Sequence, residues 1–395
     1  MKYPKIFLVL DNCFAIKRWV KPADWLELTH EIGFAFAQAS TDNEIDPLFS
    51  TFDYMDDWFS EVKKSEQVTG VKVINFYTGY QTYRTIGLAH HDSRIRRKLV
   101  EGWFKPIIQR IAELQAAGIG FSFFAMPDAV LQDPAQYKER TEIIMDLLGE
   151  LAGYAYLNHE VQVSFEQMYA PQQPPWTIAQ SRHYLESCYA IRKKPVYITL
   201  DVGHMVGQRK FLKPSMQAII DSIQEEHPDG VAPSIWLGSD SAYRLWSTAR
   251  EKCKTQSEIE LVAAAIISEM ETYPYLFAEE KDGDIFQWVE ELACYSPIIH
   301  LQQTNGVHSS HAAFTPATNK DGVVTGEKLL QAIALSYQKQ AKVGMPDPVE
   351  NIYLSFEIFA SNTETKHEII WKLKQTLDYW RKFVPKDGLS LDKLL

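Results

Sequence analysis

Short apolar runs alternate with longer amphipathic segments along this chain of 395 residues. Such runs are typical of strands buried on both faces, and the intervening segments place apolar residues three or four positions apart, as helices do. A long helix is predicted over residues 94–118, with Gly118 at its end. The predicted strands cover residues 5–10, 32–40, 71–78, 119–126, 161–168, 195–201, 297–303 and 352–359.

Eight strand–helix units predict an α/β protein with a parallel (β/α)₈ TIM barrel. The alternative is a doubly wound open sheet, which also alternates strands and helices. No Gly-rich G-x-G-x-x-G turn or P-loop follows a predicted strand, so nothing in the sequence marks the phosphate-binding crevice of such a sheet. The barrel is therefore favoured.

The connection between the sixth and seventh predicted strands is far longer than one helix and two short loops require. Its surplus, residues 206–283, contains helical patterns on either side of a turn-rich stretch, residues 228–241. The surplus begins just after the C-terminal end of strand six. We therefore expect an insertion that covers the catalytic face of a single barrel domain spanning residues 1–395.

Composition narrows the class of protein. Hydrophobic residues make up 46% of the chain, enough for a large core. The balance of 51 acidic against 40 basic residues gives a formal charge of −11, which would repel a phosphate backbone. We therefore expect no nucleic acid partner.

The cysteines and the N-terminus point to the cytoplasm. Cys13, Cys188, Cys253 and Cys294 are widely spaced, without the short intervals of a zinc knuckle or a disulfide framework. The apolar run before Asp11 is too short for a signal peptide or a membrane span. A cytoplasmic protein without membrane contact is predicted.

Acidic and imidazole side chains recur where four consecutive predicted strands end. Because the C-terminal ends of barrel strands share one mouth, these groups should converge. Three carboxylates in one partly desolvated pocket repel one another unless a divalent cation joins them. We expect one such ion, with Mn²⁺ favoured and Mg²⁺, Co²⁺ or Zn²⁺ as alternatives. The residues concerned are Glu166, Asp201, His300 and Glu357.

The order Glu, Asp-x-x-His, His, Glu along these strands resembles the xylose isomerase-like superfamily of TIM-barrel sugar isomerases and epimerases, which includes ketose 3-epimerases. The resemblance is sharp over strands five to eight and architectural over the first four. It implies that the four residues above are metal ligands, that Glu166 and Glu357 also act as acid and base, and that His204 binds substrate.

Two stretches, DNCFAIKRW at residues 11–19 and GQRKF at residues 207–211, also resemble members acting on short ketose phosphates of the erythritol type. Within the second stretch, Arg209 and Lys210 are candidates for binding a substrate phosphate or carboxylate. The alternative is a solvated basic turn.

The stretch after His300 departs from this family. Ketose epimerases of the group usually continue with an acidic residue and then an arginine, whereas this chain reads HLQQTNGVHSSHAAF without an arginine. We expect His308 and His311 to take over substrate binding there. The long insertion has no counterpart in compact epimerases, so the identity of the sugar does not follow from the resemblance.

The predicted reaction follows from these groups. A cation that binds the carbonyl oxygen of a ketose acidifies the adjacent C–H bond and stabilises the resulting enediolate. One glutamate takes the proton. Its return to the opposite face gives epimerisation, whereas its delivery to the neighbouring carbon gives aldose–ketose isomerisation, and the sequence leaves both open.

Other polar residues have two interpretations each. Asp11, Asn12, Asp42 and Tyr77 follow early strands and either bind substrate hydroxyls or form turns and caps. His90 and His91 precede Asp92, a predicted helix N-cap, and are either structural or functional. Trp176 either packs in the interior, which is favoured, or covers the pocket.

Two other functions stay as alternatives to a sugar isomerase or epimerase. An apurinic-site endonuclease shares the barrel but needs a zinc cluster with more histidines and a basic groove, which the charge of −11 disfavours. A non-catalytic sugar-binding barrel is disfavoured by the presence of both Glu166 and Glu357. A small sugar is the expected partner, and a homo-oligomer is left open.

Overall fold

The computed structural model describes residues 2–15, 18–41, 44–45, 50–78, 87–123, 125–225, 234–339 and 343–395. Within this part, parallel strands β1 to β8 pair in chain order, and β1 pairs with both β8 and β2, so the sheet closes. The strands are β1 Lys5–Asp11, β2 Phe36–Ser40, β3 Lys72–Thr78, β4 Gly118–Phe121, β5 Gln162–Glu166, β6 Tyr197–Asp201, β7 Ile298–Leu301 and β8 Asn351–Phe356. The predicted (β/α)₈ TIM barrel is confirmed. A short strand β9, Leu389–Ser390, pairs antiparallel with the start of β1.

Helices connect the strands and surround the barrel. Several begin at a Ser, Thr or Asp whose side chain accepts a backbone N–H of the first turn, as Thr255 and Thr365 do. The helices are α1 Pro22–Ile32, α2 Phe52–Thr69, α3 Ser93–Leu99, α4 Lys105–Glu113, α5 Asp128–Leu131, α6 Pro134–His159, α7 Ile178–Arg192, α8 Met216–Gln224, α9 Asp240–Lys252, α10 Gln256–Glu271, α11 Ile285–Leu292, α12 Pro316–Lys320, α13 Gly326–Gln338 and α14 Lys366–Trp380.

The long helix predicted over residues 94–118 is interrupted and ends early. A π-helical turn, Val100–Phe104, separates α3 from α4. Pro106 follows at once and lacks the N–H that an α-helix needs at that position, a local cause for the altered hydrogen bonding. The chain turns at Gln115, where φ is 58°. Gly118 therefore does not end the helix but begins β4, where a Cβ would lie 2.7 Å from the Gln162 carbonyl oxygen.

The second predicted strand also begins later than expected. Residues 30–32 are still helical, because Gly33 adopts φ 110° and its N–H bonds back to the last turn of α1. This is a helix C-cap that favours glycine. The strand β2 then occupies Phe36–Ser40.

The helices α8, α9 and α10 lie within residues 206–283. This segment contacts the connections that follow β4 and β5, including the end of α5 and the start of α7. Trp176 Nε1 donates to Tyr275 O at 3.1 Å, the Tyr275 hydroxyl donates to Leu131 O at 2.8 Å, and Ile178 N donates to Asp282 Oδ1 at 2.8 Å. That the segment closes the barrel mouth stays a prediction.

The main apolar core lies between the barrel and its helices. A small separate cluster contains Val9 and Ile298, which precede Asp11 and His300 by two residues and so share their side of the sheet. All four cysteines are free thiols. None of the described helices combines the length and the apolar character needed to cross a membrane.

Candidate metal centre and substrate cavity

The acids and the imidazole predicted from the strand ends come together in space. Ligand atoms of Glu166, Asp201, His300 and Glu357 all lie within 4.8 Å of one another. Glu166 and Asp201 end β5 and β6, His300 lies in β7, and Glu357 directly follows β8. Asp201 and His300 are paired residues of adjacent strands, and both are fully buried. The barrel therefore assembles the group from four consecutive strands.

Glu166 is held on two sides. One oxygen accepts a hydrogen bond from the Tyr77 hydroxyl. The other oxygen, Oε1, lies 3.1 Å from Nδ1 of His300 and 3.8 Å from Nδ1 of His204. Tyr77 also meets the His300 ring edge-on, with 4.7 Å between ring centroids.

Behind His300 lies a chain of buried amide and carboxylate groups. Its Nε2 is 2.9 Å from Nε2 of Gln38, which also donates to Asp11. Gln38 Oε1 in turn accepts from Asn75 Nδ2 at 2.9 Å. Since an amide nitrogen only donates, Gln38 donates to Nε2 and holds the His300 ring in one orientation. Nδ1 is thereby directed toward the two glutamates.

Asp201 is surrounded by donors. Its Oδ1 accepts the backbone N–H of Gly203 at 2.6 Å and the side-chain amide of Gln302 at 3.0 Å. Burial opposes ionisation of this carboxyl group, but the nearby imidazoles of His204, His311 and His300 lower its pKa below the usual value. Asp201 is therefore a carboxylate in this site.

Glu357 has the opposite electrostatic character. Burial, and then the negative charges of Asp201 and Glu166, raise its pKa well above the usual value. Its buried Oε2 has no hydrogen-bond partner among the described residues. The nearest nitrogens are Nδ1 of His300 at 3.5 Å and Nδ1 of His311 at 3.6 Å. Three crowded carboxyl groups with an unpartnered oxygen fit a divalent cation that prefers oxygen and imidazole ligands.

The pKa of His300 reflects the negative charge of the same cluster. Burial lowers its pKa, whereas the hydrogen bond and the charge of Glu166 raise it, and the net shift is upward. Without a cation the negative charges around Glu357 thus favour a proton on its carboxyl group. A divalent cation would replace that proton.

A cavity of about 740 Å³ opens above this cluster. Asp201 and His300 lie beneath it, whereas both glutamates and all five predicted substrate-binding residues reach its wall. It is lined by Tyr77, Glu166, Met168, Tyr169, Gly203, His204, Val206, Gly207, Arg209, Lys210, Gly306, Val307, His308, Ser309, His311, Glu357 and Phe359.

On the side of β6, His204 is buried and its Nδ1 donates to Gln167 O at 3.0 Å. This leaves Nε2, at 3.6 Å from Asp201 Oδ2, facing the cluster of candidate ligands. Arg209 is fixed by two backbone carbonyls, Gly283 O at 2.9 Å and Gly306 O at 3.1 Å. The Lys210 ammonium group lies 5.9 Å from the ring centroid of Phe211.

His311 lies beside His204, with 6.4 Å between ring centroids, and stacks on Phe359 with 3.9 Å between ring centroids and 3° between ring planes. Burial lowers its pKa to about 4, so the ring is neutral near pH 7. Its backbone has φ 45°, in the left-handed region. His308 is exposed at the cavity rim.

The remaining polar residues from the early strands separate into two groups. Asp11 is buried and accepts from Cys13 N at 2.7 Å and Ser40 Oγ at 2.9 Å, so it supports the loops rather than the cavity wall. Asn12 likewise bonds Ser40 N and Glu44. Tyr77 lines the cavity. Asp42 lies outside the described residues.

Trp176 and His90 both make structural contacts. Trp176 is fully buried and does not line the cavity; it packs against Phe211 with 5.7 Å between ring centroids. Asp92 is the N-cap of α3, as predicted, and His90 accepts the Asp92 N–H at 3.0 Å.

Gln302 contacts Asp201 and Gln38 contacts His300, but neither glutamine was singled out from the sequence. Gln302 lies two residues after His300, so the two-residue period of a strand was the available signal. Gln38 lies in the middle of an apolar strand, and a buried amide there needs a partner. Its partner could not be identified from the sequence, because it comes from a strand distant along the chain.

No model of a protein family matches this chain. The chain is 22% identical over 367 residues to the D-erythrulose 1-phosphate 3-epimerase of Brucella abortus (strain 2308), covering 93% of this chain and 88% of that protein. The structure resembles a xylose isomerase-like protein from Rhodospirillum rubrum, with a TM-score of 0.64 and 17% identity, covering 95% of this chain and 99% of that one.

It also resembles the D-psicose 3-epimerase of Clostridium cellulolyticum H10, with a TM-score of 0.55 and 12% identity, covering 95% of this chain and 98% of that one. Identities this low establish a shared fold. The predicted resemblance to xylose isomerase-like barrels is confirmed, and the names of the epimerases agree with the predicted isomerase class.

Proposed function

We propose that this chain is a metal-dependent epimerase that inverts the carbon next to the carbonyl group of a small ketose phosphate. The observation that carries the proposal is the convergence of four ligand groups within 4.8 Å, beneath a cavity that both glutamates line. The similarity to a D-erythrulose 1-phosphate 3-epimerase over most of both chains supports the choice of epimerisation and of a short phosphorylated ketose.

Glu166, Asp201, His300 and Glu357 would hold the cation, with Mn²⁺ the ion that we favour because the donor set is three carboxylates and one imidazole. When bound, a divalent cation polarises the ketose carbonyl and stabilises the negative charge of the enediolate. Two observations support this assignment: the buried Glu357 Oε2 lacks a hydrogen-bond partner among the described residues, and the pKa of this carboxyl group is raised.

The two glutamates divide the proton transfers between them. Glu166 and Glu357 come from strands that are separated by β6 and β7, so their carboxyl groups enter the cavity from different positions. One takes the proton from the carbon next to the carbonyl, and the other returns a proton to the opposite face, which inverts that carbon. Within the described residues Glu357 Oε2 has no hydrogen-bond partner, whereas Glu166 Oε2 is restrained by Tyr77.

The phosphate group would lie on the side of the cavity lined by Arg209, Lys210 and the loop that contains Gly306 and His308. Lys210 supplies the charge for a phosphate, while Arg209 is bonded to two backbone carbonyls and so stabilises the wall. Both of these basic side chains belong to the insertion, residues 206–283. We propose that it covers the barrel mouth and keeps water from the enediolate.

A substrate panel tests the function. Purified protein with Mn²⁺ would be assayed against free and 1-phosphorylated tetruloses, pentuloses and hexuloses, with products identified by NMR in D₂O. We expect a product that differs only in the configuration at C3, carrying solvent deuterium there, with a phosphorylated tetrulose among the best substrates. An aldose product would show aldose–ketose isomerisation instead, and no deuterium exchange on any sugar would refute the proposal.

Chelation tests the metal centre in the same preparation. We expect one divalent cation per chain by elemental analysis and loss of turnover after exhaustive treatment with EDTA, restored by Mn²⁺. An active preparation without metal would rule out the proposed centre.

A further inference from the structure

Gln302 lies where β7 gives way to the loop of residues 304–311, here called the cavity loop, which forms one wall of the cavity. The Gln302 side chain is fully buried. Its Nε2 donates to both carboxylate oxygens of Asp201, at 3.0 and 3.3 Å. The proton transfers proposed above do not use this side chain, although it contacts a proposed metal ligand directly.

The other end of the same amide holds the cavity loop. Gln302 Oε1 accepts from the Ser309 hydroxyl at 3.0 Å, from Ser310 N at 3.0 Å and from His311 N at 2.6 Å. A backbone N–H can only donate, so the oxygen must face the loop and the nitrogen must face Asp201. The neighbours of the amide thus fix its orientation.

A glycine makes room for this amide. A Cβ at Gly203 would lie 2.2 Å from Cδ of Gln302. The φ of Gly203 is −80°, a value that any residue adopts, so glycine is needed here for close approach and not for backbone freedom. The N–H of Gly203 also donates to Asp201.

We infer that Gln302 is a positioning residue that couples the metal centre to the cavity loop, so that cation binding at Asp201 orders the wall against which substrate binds. A carboxylate fixed by a cation presents its oxygens to Nε2 in one orientation. Because the amide is planar and rigid, Oε1 then holds the N–H groups of Ser310 and His311 in place. The inference rests on the proposed function in taking Asp201 as a metal ligand.

Hydrogen–deuterium exchange of the wild-type protein measures this coupling without sugar turnover. After removal of metal, adding Mn²⁺ alone should slow exchange in the peptide that spans residues 304–311. If Mn²⁺ binds without slowing this exchange, the inference about Gln302 is overturned and the proposed function is not. Protection by Mn²⁺ without activity on any sugar supports the inference and removes the proposed function, and failure to bind Mn²⁺ overturns both.

A matched pair of variants then assigns the coupling to this residue. Gln302→Met keeps a similar volume but removes the donor and the acceptor. We expect the Kd of this variant for Mn²⁺ to rise about 10- to 100-fold, the usual effect of losing a hydrogen-bond partner of a metal ligand. Saturating Mn²⁺ should also no longer slow hydrogen exchange in the cavity loop. Unchanged affinity and protection would refute the role of Gln302.

Gln303 is the control. Its amide is also buried and bonds Asn319, Val324 and the backbone N–H of Thr304, but not Asp201. Gln303→Met should keep the wild-type affinity for Mn²⁺ and, beyond Thr304 itself, the slowing of exchange by Mn²⁺ over residues 305–311. Equal losses in both variants would mean a general structural role and would refute the coupling. If Gln302→Met does not fold, the wild-type exchange measurement still decides.

Discussion

The phenol hydroxyl of Tyr77 donates a hydrogen bond to Oε2 of Glu166. Burial, and then the charge of Glu166, raise the pKa of Tyr77 well above its usual value, so this hydroxyl keeps its proton and remains a donor. The other Glu166 oxygen faces His300. One oxygen of this glutamate is thus restrained while the other is left for the metal centre or for a proton.

Tyr77→Phe should lower kcat about 10- to 100-fold, because a hydrogen bond to a charged group contributes roughly 1.5–3 kcal/mol and Glu166 would lose its alignment. Mn²⁺ binding should persist. Steady-state kinetics and a Mn²⁺ titration measure both effects. The control is Tyr184→Phe, a buried tyrosine packed against Phe123 and Phe165 outside the cavity. Wild-type kcat in Tyr77→Phe would contradict the role assigned to the hydroxyl.

Glu166→Gln and Glu357→Gln should each reduce turnover by about two to four orders of magnitude, the usual contribution of a positioned acid or base. Mn²⁺ binding should suffer less, because the amide oxygen can still coordinate weakly. Deuterium exchange assigns the roles, since a variant that lacks only the reprotonating acid still exchanges the substrate hydrogen while forming little product.

A control for these two variants is Glu44→Gln, since Glu44 is bonded to Trp25, Trp58 and Asn12 and does not line the cavity. It should retain turnover. Near-normal turnover in both site variants with metal bound would mean that the glutamates serve only as ligands.

Lys210→Met should raise KM for a phosphorylated ketose by about 10- to 100-fold, the effect of losing one hydrogen bond between charged groups. KM for the corresponding free ketose should not change. Lys213→Met is the matched control, because Lys213 pairs with Glu271 and does not line the cavity. An equal rise of KM for both sugars would place the phosphate elsewhere.

Glu44 should make stability fall with rising pH. Burial raises its pKa to about 8 in the folded protein, whereas an unfolded chain releases this proton near pH ~4.3. Between these values the folded state holds a proton that the unfolded state has lost. The stabilisation is complete below the pKa of the unfolded state and is lost as pH rises through the pKa of the folded state. In this range the free energy of unfolding falls by up to about 1.4 kcal/mol per pH unit.

Urea unfolding with EDTA present would measure the free energy of unfolding of wild type and Glu44→Gln across this range. We expect the wild-type value to fall more steeply with pH than that of the variant. Parallel curves would show that Glu44 is ionised in the folded protein.

The sequence alone determined the barrel and the cluster of Glu166, Asp201, His300 and Glu357. Buried parallel strands need continuous apolar runs, so the eight strands could be recognised locally, and the topology of a barrel brings their C-terminal ends together. Glu166, Asp201, His300 and Glu357 could therefore be assigned to one cluster before any contact was known. The length of the connection between β6 and β7 was visible for a similar reason, since it exceeds what a βα unit needs.

Only the tertiary structure decided what surrounds that cluster. Tyr77 reaches Glu166, and Gln302 joins Asp201 to the backbone of Ser310, through contacts between segments distant in sequence. A hydrogen bond depends on ångström distances and angles that packing sets, whereas the hydrophobic pattern records only which face of an element is buried. For the same reason the bonding of Arg209 to two carbonyl groups, and the stacking of His311 on Phe359, could not be read from the chain.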